Sequence, residues 1–316
     1  MFSFIKAMQN LLSGLKKRKG LWFTILTIVS VLGISLSMYL LTTMTSSIAK
    51  EVYVNMSVSY KSNLENKIED KQKDYQKVIL GLKTNDNFKN NLENKQIIDS
   101  IIENYNKSLS DVGSEAISVV YYSTINQTTQ FRNSINTVIN RKIASFGFEV
   151  LPSGPSIVYL EPIISGENIL GVIEVKESLL SLKKEIERNK QSIFLFLIQE
   201  KMMSNLAVEA KNGRYSPVID DLRVEEQKYD GKFFANIISD GLDGFKELKN
   251  VGYTVNREFF KTYKEVSDIN GVTIGYIVVG EKVSTDGGFV NIVDNMTKSV
   301  TLIALGLVMS ILLFMF

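Results

Sequence analysis

The 316-residue sequence contains no cysteine and no histidine. These absences exclude disulfides, Cys/His zinc sites, Ser-His-Asp and Cys-His nucleophile systems and a phosphoaccepting histidine. Carboxylate, Lys, Tyr or Ser/Thr chemistry is all that is left. Proline is scarce at four residues, and the single tryptophan, Trp22, stands at the edge of the longest apolar run. The formal charge is only +2, with no basic stripe carrying interleaved aromatics, so nucleic-acid binding has no support. A glycine-rich phosphate loop is missing too. What is present is a chain 45% hydrophobic and 22% charged, able to bury the core of one or two domains.

Leu21–Leu41 is an apolar run of twenty-one residues without a charge. As a helix rising about 1.5 Å per residue it spans on the order of 30 Å, the thickness of a bilayer core. Lys16, Lys17, Arg18 and Lys19 precede it and no such cluster follows, which predicts a cytoplasmic N-terminus. Ser47-Ile48-Ala49 resembles a signal cleavage site, but the run exceeds the roughly 7–15 residues of a signal h-region, so an uncleaved anchor is expected. Ser299–Phe316, also uncharged, predicts a second crossing. The expectation is a two-pass protein of the cytoplasmic membrane, with residues 42–298 extracytoplasmic. No Lys, Arg, Trp or Tyr closes the second run, so a cytoplasmic part beyond Phe316 is expected. Within residues 1–20, Phe2, Ile5, Met8, Leu11, Leu12 and Leu15 suit either an amphipathic helix on the inner surface or a plain tail.

Past the first run, Ile48, Val52, Met56, Tyr60, Leu64 and Ile68 recur every four residues, with Tyr75, Ile79 and Leu82 beyond. Lys61/Glu65 and Glu69/Lys73 add oppositely charged i,i+4 pairs, so one long helix is predicted. Alternation over Val52–Tyr60 also fits a strand, but helix is favoured because the segment continues an apolar helix. A second helix is expected over Asn91–Lys107. Ile117 opens a strand, ISVVYYST, followed by a polar loop and a short helix over Ile135–Ala144. SIVYLEPII and NILGVIEV, joined at Ser165-Gly166, read as an antiparallel pair. Ser178–Lys190 reads as a connecting helix and Ser192–Ile198 as a buried strand. Val208–Tyr229 is irregular, Asp230-Gly231 suggests a turn, and Phe233–Ile238 and Tyr253–Val266 suit either strand or helix. Gly271–Val279 is a strand.

An internal repeat organises these elements. Tyr159-Leu-Glu161, Gly166 and Gly171-Val-Ile-Glu-Val175 can be laid on Tyr263-Lys-Glu265, Gly271 and Gly275-Tyr-Ile-Val-Val279. Each copy closes a β-rich stretch and is followed by a helical one, predicting two related α+β modules in tandem. The fold class expected is α+β, with two transmembrane helices flanking a long helix and two PAS-like antiparallel-sheet modules. The corresponding segments are 1–20, 21–41, 42–110, 111–190 (the membrane-distal module), 191–288 (the membrane-proximal module) and 289–316.

This arrangement, together with Phe146-Gly-Phe-Glu149, Gly154, Tyr159-Leu-Glu161-Pro162-Ile and Leu170-Gly171-Val-Ile-Glu174, resembles the double Cache sensor domains of bacterial transmembrane receptors. The resemblance covers roughly residues 45–298. It implies a non-enzymatic sensor that binds a small molecule and works as a homodimer without a cofactor. The output implied is that of a chemoreceptor, with a histidine kinase or diguanylate cyclase as alternatives. A membrane-tethered binding module acting through a partner is a further alternative.

The resemblance also implies a ligand pocket in the distal module, lined from Val119 to Arg132 and from Phe148 to Glu161. An organic acid or the carboxylate of an amino acid would need Arg132 or Arg141. An amine would need Glu149 or Glu161, with Tyr121, Tyr122 and Tyr159 as aromatic walls. Arg132 and Tyr159 are the first candidates among these six residues and Arg141. No catalytic or metal-binding set is expected.

Overall fold

The computed structural model describes residues 19–114, 116–125, 130–189, 191–211, 215–283 and scattered positions between 295 and 310. The expected N-terminal tail, most of the helix expected over residues 289–316, and the tip of the loop after the first strand lie outside the described residues. The chain divides into two compact units: Met56–Gly288, and Met1–Asn55 with Phe289–Phe316.

Helix α1, Lys19–Lys83, contains the uncharged Leu21–Leu41 run as its opening third and continues through charged turns without a break. Among the described residues no helix is long and apolar enough to cross a membrane. That corrects the expectation of two flanking transmembrane helices and of a two-pass protein. The first uncharged run is part of a much longer, mixed helix, and the second is described only in short pieces. The α+β class with two antiparallel sheets and a long helix is what the chain forms.

Thr84 ends α1, and the next two helices are each started by an asparagine. Asn85 Oδ1 accepts from Phe88 N to cap α2, Asp86–Asn90, and Asn94 Oδ1 accepts from Ile97 N to cap α3, Lys95–Asp111. The expected second helix therefore starts at the first asparagine able to cap it rather than at Asn91. The first sheet contains β1, Ile117–Ser123; β2, Ser145–Leu151; β3, Gly154–Ser165; and β4, Asn168–Ser178. Helix α4, Asn133–Arg141, connects β1 to β2. Helix α5, Leu179–Ile186, leads to the second sheet. That sheet contains β5, Ser192–Gln199; β6, Tyr215–Ile219; β7, Leu222–Glu225; β8, Tyr253–Val255; β9, Phe259–Ser267; and β10, Thr273–Lys282. Between β5 and β6 lies the single turn α6, Val208–Lys211, and between β7 and β8 the longer α7, Gly231–Val251.

Among the described residues, all strand pairings within the two sheets are antiparallel. The first sheet has the order β1-β4-β3-β2, and the second contains β5-β10-β9-β8 with β6 and β7 added outside β5. Those two four-strand blocks share one topology: opening strand, last strand, third, second. The two copies of the sequence repeat are the β3–β4 and β9–β10 hairpins, and both carry a register irregularity, at Ile163/Ile164 and at Thr273/Gly275.

Each sheet is covered on both faces. Leu64, Tyr75, Ile79 and Leu82 of α1 pack with Ile157, Ile173 and Val175 of the first sheet and with Phe194, Ile277 and Val279 of the second, forming one continuous core. Ile135 and Val138 of α4 cover the other face of the first sheet against Leu151, Val158, Leu160 and Val172. Phe233, Ile237, Phe245 and Leu248 of α7 cover the other face of the second.

Candidate functional site

Strand alternation sends Tyr121 and Tyr122 to opposite faces of the first sheet. Tyr122 points to the α4 face, as do Glu149 of β2 and Glu174 of β4. Arg132, the N-cap residue of α4, extends over the same face because the buried Ser134, Ile135 and Val138 pin the helix to it. The four side chains interlock. Arg132 Nε donates to Ser134 Oγ at 2.9 Å and to Glu149 Oε2 at 3.0 Å. Its Nη1 donates to the Tyr122 hydroxyl at 3.2 Å, and its Nη2 pairs with Glu174 and, at 3.0 Å, with Glu149. The Tyr122 hydroxyl in turn donates to Glu174 Oε2 at 2.8 Å. The guanidinium also lies over the Tyr122 ring, 5.7 Å from its centroid.

Burial shapes the electrostatics of this cluster. It works against the charge on Arg132, but Glu174 and Glu149 outweigh it, so the guanidinium holds its proton more tightly than usual. Burial pushes the Glu149 carboxyl up, and the charge of Glu174 adds to this despite Arg132 and Ser134. Tyr122 is pushed up to about 12 by burial and then by Glu174. Two carboxylates thus share one guanidinium on a half-buried surface.

Beside the cluster opens a cleft of about 1000 Å³. One wall is Tyr122, Phe131, Arg132, Ser134 and Glu149, with Lys176 of β4 in the same lining. The other comes from the second sheet and its connections: Met202, Asn205, Asp268, Asn270 and Ile274. Asp268 Oδ1 accepts from Asn270 N and Val272 N and so shapes the β9–β10 turn, in which Gly271 has φ 83°. The turn is seated on α4 and β2 by a Thr137–Asn270 hydrogen bond of 3.1 Å and a bridge between Phe148 and Asp268. The tip of the second repeat hairpin therefore forms part of a cleft whose charged wall belongs to the first sheet.

Arg132, Tyr122 and Glu149 are brought together here; the other three leading candidates are not. Tyr121, Tyr159 and Glu161 lie on the opposite, α1-covered face. The Tyr121 hydroxyl donates to Leu170 O, and its ring meets Phe88 edge-on. Tyr159 donates to Glu161 Oε2 at 3.2 Å, and Glu161 pairs with Lys83 of α1 at 2.8 Å. Arg141 lies in the last turn of α4 and does not line the cleft. Glu174, Lys176, Asp268 and Ser134 were not singled out from sequence. Glu174 had one signal: an acid inside the apolar run Gly171-Val-Ile-Glu-Val175 is costly to bury without a cation. Lys176 is placed by the β4 register in the first sheet, and Asp268 and Ser134 by how the second sheet and α4 close the cleft.

No family model and no curated protein matches the sequence. Among solved structures, the sensory domain of the Campylobacter jejuni chemoreceptor Tlp3 aligns over 77% of this chain and 97% of its own, at 11% identity and a TM-score of 0.45. A domain of a protein assigned to the sensory box/GGDEF family of Vibrio parahaemolyticus aligns over 74% and 97%, at 9% identity and 0.44. The sensor domain of the V. cholerae histidine kinase DctB aligns over 73% and 98%, at 14% identity and 0.40. The chain is similar to sensory domains. At this identity and TM-score, neither ligand nor output is carried over from them.

Proposed function

We propose that this chain is the sensor portion of a signal receptor, a binding rather than a catalytic module, which takes a charged small molecule into the cleft beside Arg132. The observation that carries the reading is the cleft itself: about 1000 Å³, walled by a half-buried Arg–Glu–Glu–Tyr cluster and formed jointly by both sheets. A cavity of this size with a few convergent polar groups suits a small ligand. Arg132, Tyr122 and Glu149 are its polar contacts, with Glu174 behind them as the buried counter-ion of Arg132, and Asp268 and Asn270 meet the ligand from the opposite side. A ligand touching both walls favours one arrangement of the β9–β10 turn against the first sheet, and that differential affinity shifts the population of two states. Strand β10 carries the shift towards the C-terminal segment. An extracytoplasmic location and a chemoreceptor output are what the sequence resemblance implies for such a module.

Thermal-shift measurements on the whole chain with amino acids, amines and organic acids test the reading. A true ligand raises the melting temperature in a concentration-dependent way. Arg132→Ala is expected to abolish that shift, whereas a shift that survives this substitution moves the site elsewhere.

A further inference from the structure

The cleft contains its own rival for an acidic ligand. All three nitrogens of the Arg132 guanidinium are engaged within the protein, by Ser134, Glu149, Tyr122 and Glu174. Glu174 is fully buried and also receives the Tyr122 hydrogen bond, so it is the fixed counter-ion. Glu149 is held differently. Its side chain keeps 11% exposure, lines the cleft, and meets Arg132 through the single oxygen Oε2.

The groups facing Glu149 are Arg132 and Ser134 at the start of α4, Tyr122 of β1 and Glu174 of β4. Lys176 of β4 and Asp268 of the β9–β10 turn line the same cleft. With both glutamates ionised, Arg132 is over-neutralised, and like charges sharing one site favour a proton on one of them. Glu149 is the one able to take it, since it reaches the cleft wall and burial already pushes its carboxyl up.

Resting on the sensor reading above, we propose that Glu149 stands where a ligand carboxylate binds Arg132, so that an acid ligand enters only as Glu149 leaves the guanidinium and takes up one proton. The balance is simple: one carboxylate replaces another on Arg132, and the displaced group is neutralised from solvent, so the charge of the cluster is unchanged. Glu149 then sets specificity. It excludes carboxylates when ionised and admits them when protonated. An amine, by contrast, would bind with Glu149 ionised and show the opposite pH dependence.

Acetate and ethylamine are suitable probes on the whole chain, followed by calorimetry in two buffers of different ionisation enthalpy. Acetate is expected to bind with uptake of one proton and to weaken by up to about tenfold per pH unit above the Glu149 pKa. Glu149→Gln is expected to bind acetate more tightly at neutral pH and without that pH dependence. Acetate binding without proton uptake, or a pH dependence unchanged in Glu149→Gln, overturns the inference. Ethylamine binding with no acetate binding also overturns it while leaving the sensor reading standing. If no probe and no member of the wider panel shifts the melting temperature at any pH, both fall. Should Glu149→Gln fail to fold, the proton count in the unsubstituted protein decides the matter alone.

Discussion

At the residue scale, the described residues bury charge at Glu174, Glu177, Lys261 and Glu281, and two of these places yield specific predictions. The first is the Arg132 cluster. Removing one partner of a buried ion pair leaves the other uncompensated, so Arg132→Met is expected to lose about 3–5 kcal/mol, nearer the lower end because Arg132 keeps some exposure. Replacing Glu174 with Leu in the same chain should restore part of that loss, as measured by urea unfolding. Glu149 contributes in the opposite sense. Because its folded-state pKa is raised, its contribution is fully present below the ordinary carboxylate range and is lost as pH rises through the raised value. Glu149→Gln should therefore flatten this part of the stability–pH curve, and urea midpoints across that range would show it.

Lys261 is the second place. It is 1% exposed, and its Nζ donates to Asn236 Oδ1 at 2.5 Å and pairs with Asp240. Asn256 Nδ2 bonds the same two side chains. Asp240 immediately precedes Gly241, whose φ of 63° and ψ of −162° break α7. The lysine thus fastens the helix to β9 at its weakest point. Lys261→Met is expected to cost about 3 kcal/mol or more. Asp240→Asn should cost less because Asp240 is partly exposed, and a larger loss from Asp240→Asn than from Lys261→Met would contradict this account.

At the element scale, the repeat glycines explain themselves through close contacts. A Cβ on Gly171 would fall 2.4 Å from the Tyr121 hydroxyl oxygen, and one on Gly275 only 2.1 Å from Leu197 O. In each sheet the glycine lets the last strand pass under something that leaves no room for a side chain. Gly171→Ala and Gly275→Ala are each expected to destabilise by about 1–3 kcal/mol, with Gly275 the worse because backbone cannot swing aside. Thermal unfolding of the two variants checks the order. Asp230 shows how local signals mislead: Asp230-Gly231 reads as a turn, yet Asp230 Oδ1 accepts from Lys232 N and Phe233 N and starts α7. The same residues serve either role, and only the buried Phe233 and Ile237 decide that a helix follows. Strand β2, Ser145–Leu151, escaped the sequence reading although Phe146, Phe148 and Val150 alternate with Gly147 and Glu149, since glycine is depleted in strands. Ile269 of the β9–β10 turn packs close to that glycine, 3.2 Å from where a Cβ would stand.

On the scale of the whole molecule, one feature of the Met56–Gly288 unit governs stability. Its largest core runs without a break from α1 through the first sheet to the second. Two sheets sharing one core should unfold together. Native-state hydrogen exchange is expected to give similar opening free energies for amides of β4 and β10, and widely separated values would mean that the two modules are energetically independent. Along the second sheet, polar contacts add to the apolar packing of α1: Ser57 to Thr262 and Gly252 O, Tyr60 to Glu281, and Glu65 to Lys264. Tyr60→Phe should therefore weaken the attachment of α1 to β10 while leaving the apolar core at Leu64–Leu82 intact.

The sequence by itself determined the long helix, both strands of the first repeat hairpin, the last strand of the second and the α+β class, while Tyr253–Val266 stayed open between strand and helix. Periodicity and propensity act over a few residues, and the backbone answers to them locally. It also pointed to Arg132, Tyr122 and Glu149 as cleft residues, though not to what they do together. The tertiary structure decided that. Glu174 lies 42 residues from Arg132, and its approach depends on the β1–β4 register and on how α4 sits over the sheet. One residue of strand alternation sends Tyr122 into the cluster and Tyr121 to the opposite face. The far wall of the cleft comes from Asp268 and Asn270, more than a hundred residues further on, because the second hairpin folds back onto the first sheet. Contacts of that range follow from how preformed elements pack, which the pattern along a single strand does not encode.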